Sequence, residues 1–472
     1  MNVARSILVA LVFVLAACGR KDDTLPPIGQ LLLYVDTDAP LPAAPGDRLG
    51  PSDPSPLFDR VRVEVYRAGE NAPCDGCTHE FEVDRTVVGE GRASIGITTP
   101  PGVSGYRARV RLFRAAFVEL GEPRPDATIE SVVALPEAAE EGITPVTVVL
   151  MTATLAHPIG TLDAPAPATA GASRPLGTWA GAQRVPCANA PHDGEVCIPG
   201  GAYWMGNPRL GSVVVPGDAV VLRIASLAPF FLDAKEATVG AFRAAGVAAQ
   251  SDPLPYSTDQ RPRPPVHCTW TAAPGNDEEL PVTCLSWQRA RAFCRARGAD
   301  LPSEAQFQYA ASGLTGATYV WGDDDPTCDD AVYDRAQIYQ PDTKCPGDGV
   351  GVAGTGARDR LVLPTGTVLD LAGNVSEHAL DTWNFANEPC WGTGVFIDPV
   401  CTQPSANPGI MHASSVHSVV GGSFVATSFF VAAAVRMPDP FSPDVPSMGP
   451  EGGNADIGIG STGFRCARAD VP

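Results

Sequence analysis

The chain has 472 residues, 44% of them apolar and only 18% charged, which leaves room for two or three domains with real cores and excludes a disordered chain. A formal net charge of −20 argues against nucleic acid or an anionic membrane surface held through a basic patch, and suits a soluble surface or a binder of cations. With 48 Gly and 47 Pro, about a fifth of the chain, turns and loops are expected rather than helix bundles.

The N-terminus reads as a targeting segment, residues 1–18. Arg5 gives a positive start, and the apolar run Ile7 to Ala17 is too short to span a bilayer as a mature helix. It ends Leu15-Ala16-Ala17-Cys18, which resembles a bacterial lipobox with Cys18 as the acylated residue. A lipid anchor at Cys18 would place the protein on a membrane in the cell envelope. Gly19, in place of an aspartate, favours the outer membrane or cell surface over the inner membrane. Residues 19–27 read as a polar tether.

With Cys18 set aside, twelve cysteines remain, an even number that points to disulfides in an exported chain. Neighbours in sequence suggest Cys74–Cys77, Cys187–Cys197, Cys268–Cys284, Cys328–Cys345 and Cys390–Cys401, with Cys294 and Cys466 left over. Spacing alone leaves the connectivity open.

From residue 28 the period is two. Arg60-Val-Arg-Val-Glu-Val-Tyr-Arg67 alternates without a break, and so does Tyr106-Arg-Ala-Arg-Val-Arg-Leu112. Ala93, Ile95 and Ile97 alternate, as do Val146, Val148 and Leu150. Such alternation predicts strands with one face buried and one wet. No helical period of useful length is seen before residue 155, so residues 28–155 are expected to form an all-β sandwich, immunoglobulin-like or similar. Cys74-Asp-Gly-Cys77 in a loop between strands is expected to be a small disulfide-closed loop. A redox pair would open a helix, and a zinc site would need a second cysteine pair nearby. Residues 156–183, rich in Pro, Ala and Gly, read as a semi-extended linker.

Residues 184–472 read as mixed α+β. Pro229 to Glu236 predicts a strand, Thr238 to Ala245 a short helix ending at Gly246. Ser286 to Gly298 predicts a helix with Ser286 as N-cap, Gly298 as terminator, and Trp287, Ala290, Phe293 and Cys294 on one face. Ser303 with Gln306 makes a capping box for a further helix with Phe307, Ala310 and Ala311 inside. Beyond residue 312 loops prevail. Within them, Asp370-Leu-Ala-Gly-Asn-Val-Ser-Glu377 packs carboxylates, an amide and a glycine into one turn, the kind of oxygen-rich loop a hard cation needs, since Ca²⁺ takes about six to eight oxygens. Spacing alone favours a solvated turn. His378 follows as a loop histidine. His412 and His417 read as loop surface, and Asp323 to Asp325 as a solvated acidic turn.

These pieces fall in the order of the formylglycine-generating enzyme, or sulfatase-modifying factor, family. Ile198-Pro-Gly-Gly-Ala-Tyr-Trp-Met-Gly206, Phe231-Leu-Asp-Ala-Lys-Glu-Ala-Thr238 and Pro281-Val-Thr-Cys-Leu-Ser-Trp287 resemble its opening, its first helix entry and its central signature. Leu301-Pro-Ser-Glu-Ala-Gln306, Tyr319-Val-Trp-Gly322, Asp370 to Glu377, Gly421-Gly-Ser423, Arg436 and Gly463-Phe-Arg-Cys466 follow. The resemblance implies a variant of the C-type lectin fold and a disulfide between Cys294 and Cys466. It also implies a structural Ca²⁺ held by the side chains of Asp370 and Glu377 and the carbonyls of Gly373 and Val375. Ser423 and Arg436 match the family's substrate pocket. The family's enzyme oxidises a cysteine of sulfatases to formylglycine with O₂ on Cu(I) held by two thiolates after Gly-Gly-Ser. Here Gly421-Gly-Ser423 is followed by Phe-Val-Ala-Thr-Ser-Phe-Phe-Val-Ala-Ala-Ala-Val-Arg436, and no cysteine lies between Cys401 and Cys466. No copper is therefore expected. A lipid-anchored envelope protein that binds an unnamed ligand or partner, or acts as a scaffold, is the first reading. An enzyme of the family with altered chemistry is the alternative.

Overall fold

The computed structural model describes residues 29–100, 102–210, 221–246, 268–271, 273–335, 345–347, 349–385, 388–405, 416–439 and 461–471. Residues 1–28, with Cys18, and His412 lie outside the described residues. No helix among the described residues is long and apolar enough to cross a membrane. The architecture is mixed α+β, mostly sheet with few and short helices.

The first half contains β1 (Gln30–Thr37), β2 (Arg60–Tyr66), β3 (Thr78–Glu82), β4 (Ser94–Ile97) and β5 (Arg107–Phe113). The small hairpin β6 (Val118–Glu119) and β7 (Glu122–Pro123) follows, then β8 (Ile129–Ala134), β9 (Ile143–Leu150), β10 (Ala166–Pro167) and β11 (Thr169–Ala170). One sheet runs β11-β9-β1-β4, the other β10-β8-β5-β2-β3. The period of two decides which residues meet. Leu31, Leu33 and Val35 of β1 share one apolar core with Val61, Val63 and Val65 of β2, Ala108, Val110 and Leu112 of β5, and Val146 and Val148 of β9. The arginines between them turn outward and pair across the sheet. Arg62 meets Glu80, Arg109 meets Glu130 and Arg111 meets Glu64, all within 3 Å.

Two findings differ from the sequence reading. A short helix, α1 (Arg85–Gly89), interrupts the strands. The Asp84 carboxylate caps it by accepting from the Thr86 and Val87 N–H groups, and five residues are too few to show a period. Residues 156–183 are not a free linker. β10 pairs with β8, β11 pairs with β9, and the stretch ends in a turn at Ala180–Ala182 packed on the second half. Composition favoured a linker, but backbone pairing to an existing sheet overrides it, and Pro167 is tolerated because β10 is an edge strand.

The second half opens with β12 (Glu195–Ile198), β13 (Gly201–Met205), β14 (Arg223–Leu227) and β15 (Phe230–Asp233). Three helices follow: α2 (Val239–Ala244), α3 (Trp287–Ala296) and α4 (Glu304–Ala311). The caps of α3 and α4 are those expected, and Thr238, read as the first residue of its helix, is the N-cap of α2. Thr238 accepts from Ala241 N–H, Ser286 from Arg289 N–H, and Ser303 with Gln306 forms both bonds of a capping box. Gly298 takes φ +72°, the left-handed turn that ends α3. Short strands complete the chain: β16 (Arg360–Leu363), β17 (Gly366–Leu369), β18 (Ser376–Thr382), β19 (Val395–Ile397), β20 (His417–Val420), β21 (Arg436–Pro438), β22 (Thr462–Gly463) and β23 (Ala467–Ala469). They pair as β12-β15-β23, β13-β14-β19, β16-β17 and β21-β20-β18-β22. Nearly all of α4 is buried among these sheets.

Six disulfides tie the molecule together: Cys74–Cys77, Cys187–Cys197, Cys268–Cys284, Cys294–Cys466, Cys328–Cys345 and Cys390–Cys401. The two halves also share a core. Trp204 of β13 is fully buried in the core of the first half, edge-on to Phe58 and Phe117, and its Nε1 donates to the Leu57 carbonyl at 2.8 Å.

Candidate functional site

The loop between β17 and β18 is shaped by its own backbone. Asp370 and Asn374 both sit at positive φ, +53° and +67°, a region short polar side chains tolerate. Gly373 lies so close to Val332 that an added Cβ would meet the Val332 carbonyl oxygen at 2.5 Å, so only glycine fits. The Asp359 carboxylate pins the turn by accepting from the N–H groups of Leu371, Ala372 and Gly373 at 2.8 to 3.0 Å. Asn374 reaches out of the loop and donates to Glu236 Oε2 and the Gly351 carbonyl.

Glu377 follows at the start of β18, and Arg465 covers it. The guanidinium donates from Nε and Nη2 to both carboxylate oxygens at 2.6 to 2.8 Å, and neither residue is exposed. It also donates to the carbonyls of Leu369 and Asp370. Four buried carboxylates, Glu236, Asp359, Asp370 and Glu377, lie in the field of this guanidinium, and Glu377 is the one hydrogen-bonded to it. Burial raises all four pKa values. Asp359 is pushed up to about 7 by burial and by Asp370, and Glu236 well above its usual range by burial, Asp370 and Glu377. Asp370 Oδ2 accepts from Gly354 N–H, but Asp370 Oδ1 and Glu236 Oε1 are buried with no hydrogen-bond partner.

This bears on the expected calcium ligands. An oxygen-only donor set, an excess of buried negative charge and an orphaned Asp370 oxygen suit a hard cation. Asp370, with the carbonyls of Gly373 and Val375, would hold it, and Glu377 would reach it only while sharing its carboxylate with Arg465. Among the described residues no three His, Cys, Asp or Glu side chains already gather in a metal-binding arrangement.

Of the expected pocket residues, Ser423 adjoins this loop: the next residue, Phe424, donates its N–H to the Asn374 carbonyl at 2.9 Å. Gly422 is cramped against Val431 and the Ala372 carbonyl, so the turn before Ser423 needs glycine. Ser423 is buried, and its carbonyl accepts from Ala426 N–H at 2.9 Å. After it, Val431, Ala432, Ala434 and Val435 pack against Tyr319, Ala331, Tyr333 and Ala372. Between Ser423 and that cluster, residues 425–430 are half-buried or exposed. Arg436 is drawn into a second ionic centre. Its Nη1 donates to Glu304 Oε2 at 2.6 Å, its Nη2 to the Asn384 carbonyl at 2.6 Å, and its guanidinium lies over the Trp391 ring. The Ser418 hydroxyl donates to the other oxygen of Glu304, and Asp381 accepts from Glu304 N–H. Burial and the nearby Glu304 carboxylate push the Asp381 carboxyl well above its usual range.

Three readings need correction or completion. His378 is no loop histidine. It is fully buried in β18 with Nε2 3.1 Å from the Leu285 carbonyl and Nδ1 3.9 Å from Asp439, because β18 extends the loop straight into a central strand. His417 is half-buried and stacks flat on Trp287, ring centroids 3.5 Å apart. The centre built on Glu304, Asp381 and Arg436 was missed because its members are far apart in sequence. The acidic residue in the first turn of α4 was its one local signal.

Residues 182–470 match the family model described as the sulfatase-modifying factor enzyme 1-like domain. The formylglycine-generating enzyme of Thermomonospora curvata is 28% identical over 238 residues, 44% of this chain and 77% of that protein. That of Mycobacterium tuberculosis is 33% identical over 115 residues, 23% of this chain and 38% of that protein. The inactive C-alpha-formylglycine-generating enzyme 2 of Bos taurus is 49% identical over 45 residues, 9% of this chain and 15% of that protein. The chain thus spans well under two thirds of the last two relatives. Among solved structures, variable protein 1 of Treponema denticola matches with a TM-score of 0.38 at 16% identity, covering 58% of this chain and 94% of that one. PvdO from Pseudomonas aeruginosa matches with a TM-score of 0.38 at 18% identity and the same coverage. By the match of its second half, the chain belongs to the sulfatase-modifying factor enzyme 1-like domain family.

Proposed function

We propose that this protein is a lipid-anchored component of the cell envelope whose family domain works as a binding or scaffold module and not as a copper oxidase. In this reading Cys18 carries the lipid and the anchor lies in the outer membrane or at the cell surface. The two-sheet half is an immunoglobulin-like sandwich, and the second half is a variant of the C-type lectin fold that presents a surface to a ligand or envelope partner. One observation carries the loss of oxidase chemistry. All twelve cysteines after Cys18 pair in disulfides, which supports a domain without a thiolate pair for Cu(I).

The test is a mass-spectrometric assay. The full chain is incubated with Cu(I), O₂ and a sulfatase peptide carrying the target cysteine. No formylglycine is expected, and its appearance at any turnover above the peptide-only control overturns the reading.

A structural Ca²⁺ at Asp370 is part of the same proposal. It would neutralise a buried excess of carboxylates, which one guanidinium leaves incomplete. Calorimetry with Ca²⁺ is expected to give binding to the parent protein and none to Asp370→Ala. Equal heats for the two proteins would remove calcium from the proposal.

A further inference from the structure

The loop closed by Cys74–Cys77 is set apart from the other five disulfides by exposure. Each of those five has at least one cysteine buried in the core. Cys74 and Cys77 are both only half-buried. The bond is also the least needed for the fold. Cys77 N–H donates to the Cys74 carbonyl at 2.9 Å, and Gly76 at φ +69° completes a tight turn. On either side, Cys74 N–H donates to the Val65 carbonyl and Val65 N–H to the Cys77 carbonyl. Backbone bonds alone hold this turn, and a cross-link three residues long removes little chain entropy.

The disulfide also borders an open cleft of about 320 Å³. His79 and Arg67 line it on one side, and residues Ile95 to Thr98 of β4 and beyond line it on the other. β3 is the last strand of one sheet and β4 the last of the other, so the cleft lies between two sheet edges. β4 pairs with β1 alone among the strands. A free edge accepts an extended peptide through its backbone groups.

We propose that Cys74–Cys77 is a thiol–disulfide exchange site and that its substrate is a cysteine-bearing peptide docked in extended form along β4. The thiolate of the peptide attacks one sulphur of the pair. A new disulfide forms between peptide and protein, the Cys74–Cys77 bond breaks, and the second sulphur leaves as a thiolate that takes a proton from solvent. One disulfide is consumed and one is made, so no further oxidant is required. His79, in the same cleft, offers an imidazole to accept the proton of the incoming thiol. Access and thiolate fraction set the rate of such exchange, which singles out the one pair of the six with neither cysteine fully buried. This site is independent of the family domain and of the function proposed for it.

The test uses the full chain with two probes at equal thiolate concentration, a labelled Val-Thr-Cys-Val-Thr peptide and glutathione. Mixtures are quenched with acid and mapped by mass spectrometry. Adducts at Cys74 or Cys77 are expected to form about tenfold faster than at any other cysteine, and about tenfold faster with the peptide than with glutathione. Thr98→Trp, which crowds the cleft, is expected to slow the peptide more than glutathione and so to abolish the ratio between the two rates. Adducts spread evenly over the disulfides, or none at this pair, overturn the exchange site. A peptide no faster than glutathione, or an advantage that survives Thr98→Trp, overturns the docking. The double variant Cys74→Ser, Cys77→Ser is expected to unfold within about 5 °C of the parent. A larger fall identifies the bond as a structural staple and overturns the proposal.

Discussion

The two halves of the chain are stabilised by different means. In the first, strands of seven and eight residues pair in long registers over an aliphatic core, and the ion pairs ride on the outer face. Its one disulfide is half-exposed at a turn. In the second half most strands run two to five residues, and the work of order passes to five further disulfides and to two ionic centres buried in the core. Short strands satisfy few backbone groups through sheet pairing. Long irregular segments must then find carboxylates, guanidinia and cross-links to fix them. The Arg465 centre shows this directly, since its guanidinium and the Asp359 carboxylate together satisfy carbonyls and N–H groups of the loop from Leu369 to Gly373.

Cutting the longest cross-link is the most severe way to test this contrast. Cys294 and Cys466 are 172 residues apart, and their bond joins α3 to the chain entering β23. In the chain-entropy model the double variant Cys294→Ser, Cys466→Ser loses about 5 kcal/mol, well above the loss at Cys74–Cys77. Urea unfolding of the two double variants side by side measures it. Equal losses would break the distinction between a stapled half and a self-sufficient one.

Arg465→Met is next. It keeps much of the volume but leaves Glu377 buried without its cation, and breaking a buried pair in this way costs about 3–5 kcal/mol. A double variant that adds Glu377→Gln is expected to recover part of that loss, because the stranded charge goes with it. If Arg465→Met unfolds at the same urea concentration as the parent, the centre does not hold the loop.

The contrast has a seam, and Trp204 crosses it. Trp204→Ala removes a large buried ring and leaves the Leu57 carbonyl without its donor, at a cost of about 3 kcal/mol. The two halves share a core around this ring, so the parent is expected to unfold in one calorimetric transition and the variant in two. A single transition in both would mean that the halves are coupled elsewhere.

What could be read in advance follows the same division. Period-two alternation at Arg60 to Arg67 and Tyr106 to Leu112 is a local signal, and the strands appeared where it stood. Ser286 and Ser303 announced their helices through bonds spanning three residues. Cysteine neighbours paired as their proximity suggested. The ionic centres gave no such signal, because Glu377 meets Arg465 across 88 residues and Glu304 meets Arg436 across 132. A carboxylate in a loop looks the same in sequence whether it faces water or a guanidinium. The segment from 156 to 183 misled for a related reason. Its composition is that of a linker, yet Ala166 and Thr169 join sheets built earlier in the chain.

The smallest expected effect lies at the edge of the Arg436 centre and separates buried charge from buried neutrality. His417 stacks on Trp287 and faces Arg291, His378 and the Asp381 carbonyl. Burial pushes its imidazole down to about 4, while the Asp381 carbonyl pulls the other way. In the unfolded chain the ring titrates near the usual value of about 6.5. The folded state therefore binds the proton less readily. Its contribution to stability is present above pH ~6.5 and is lost as the pH falls towards ~4. Discounted for solvent screening of a half-buried ring, the loss is about 1–2 kcal/mol. His417→Gln removes the titration, so the stability of the variant relative to the parent is expected to rise across that window. Urea unfolding of both proteins at a series of pH values gives the difference directly. Parallel curves between pH 7 and 4 would show that the stacked ring accepts its proton in the folded protein as easily as in the unfolded chain.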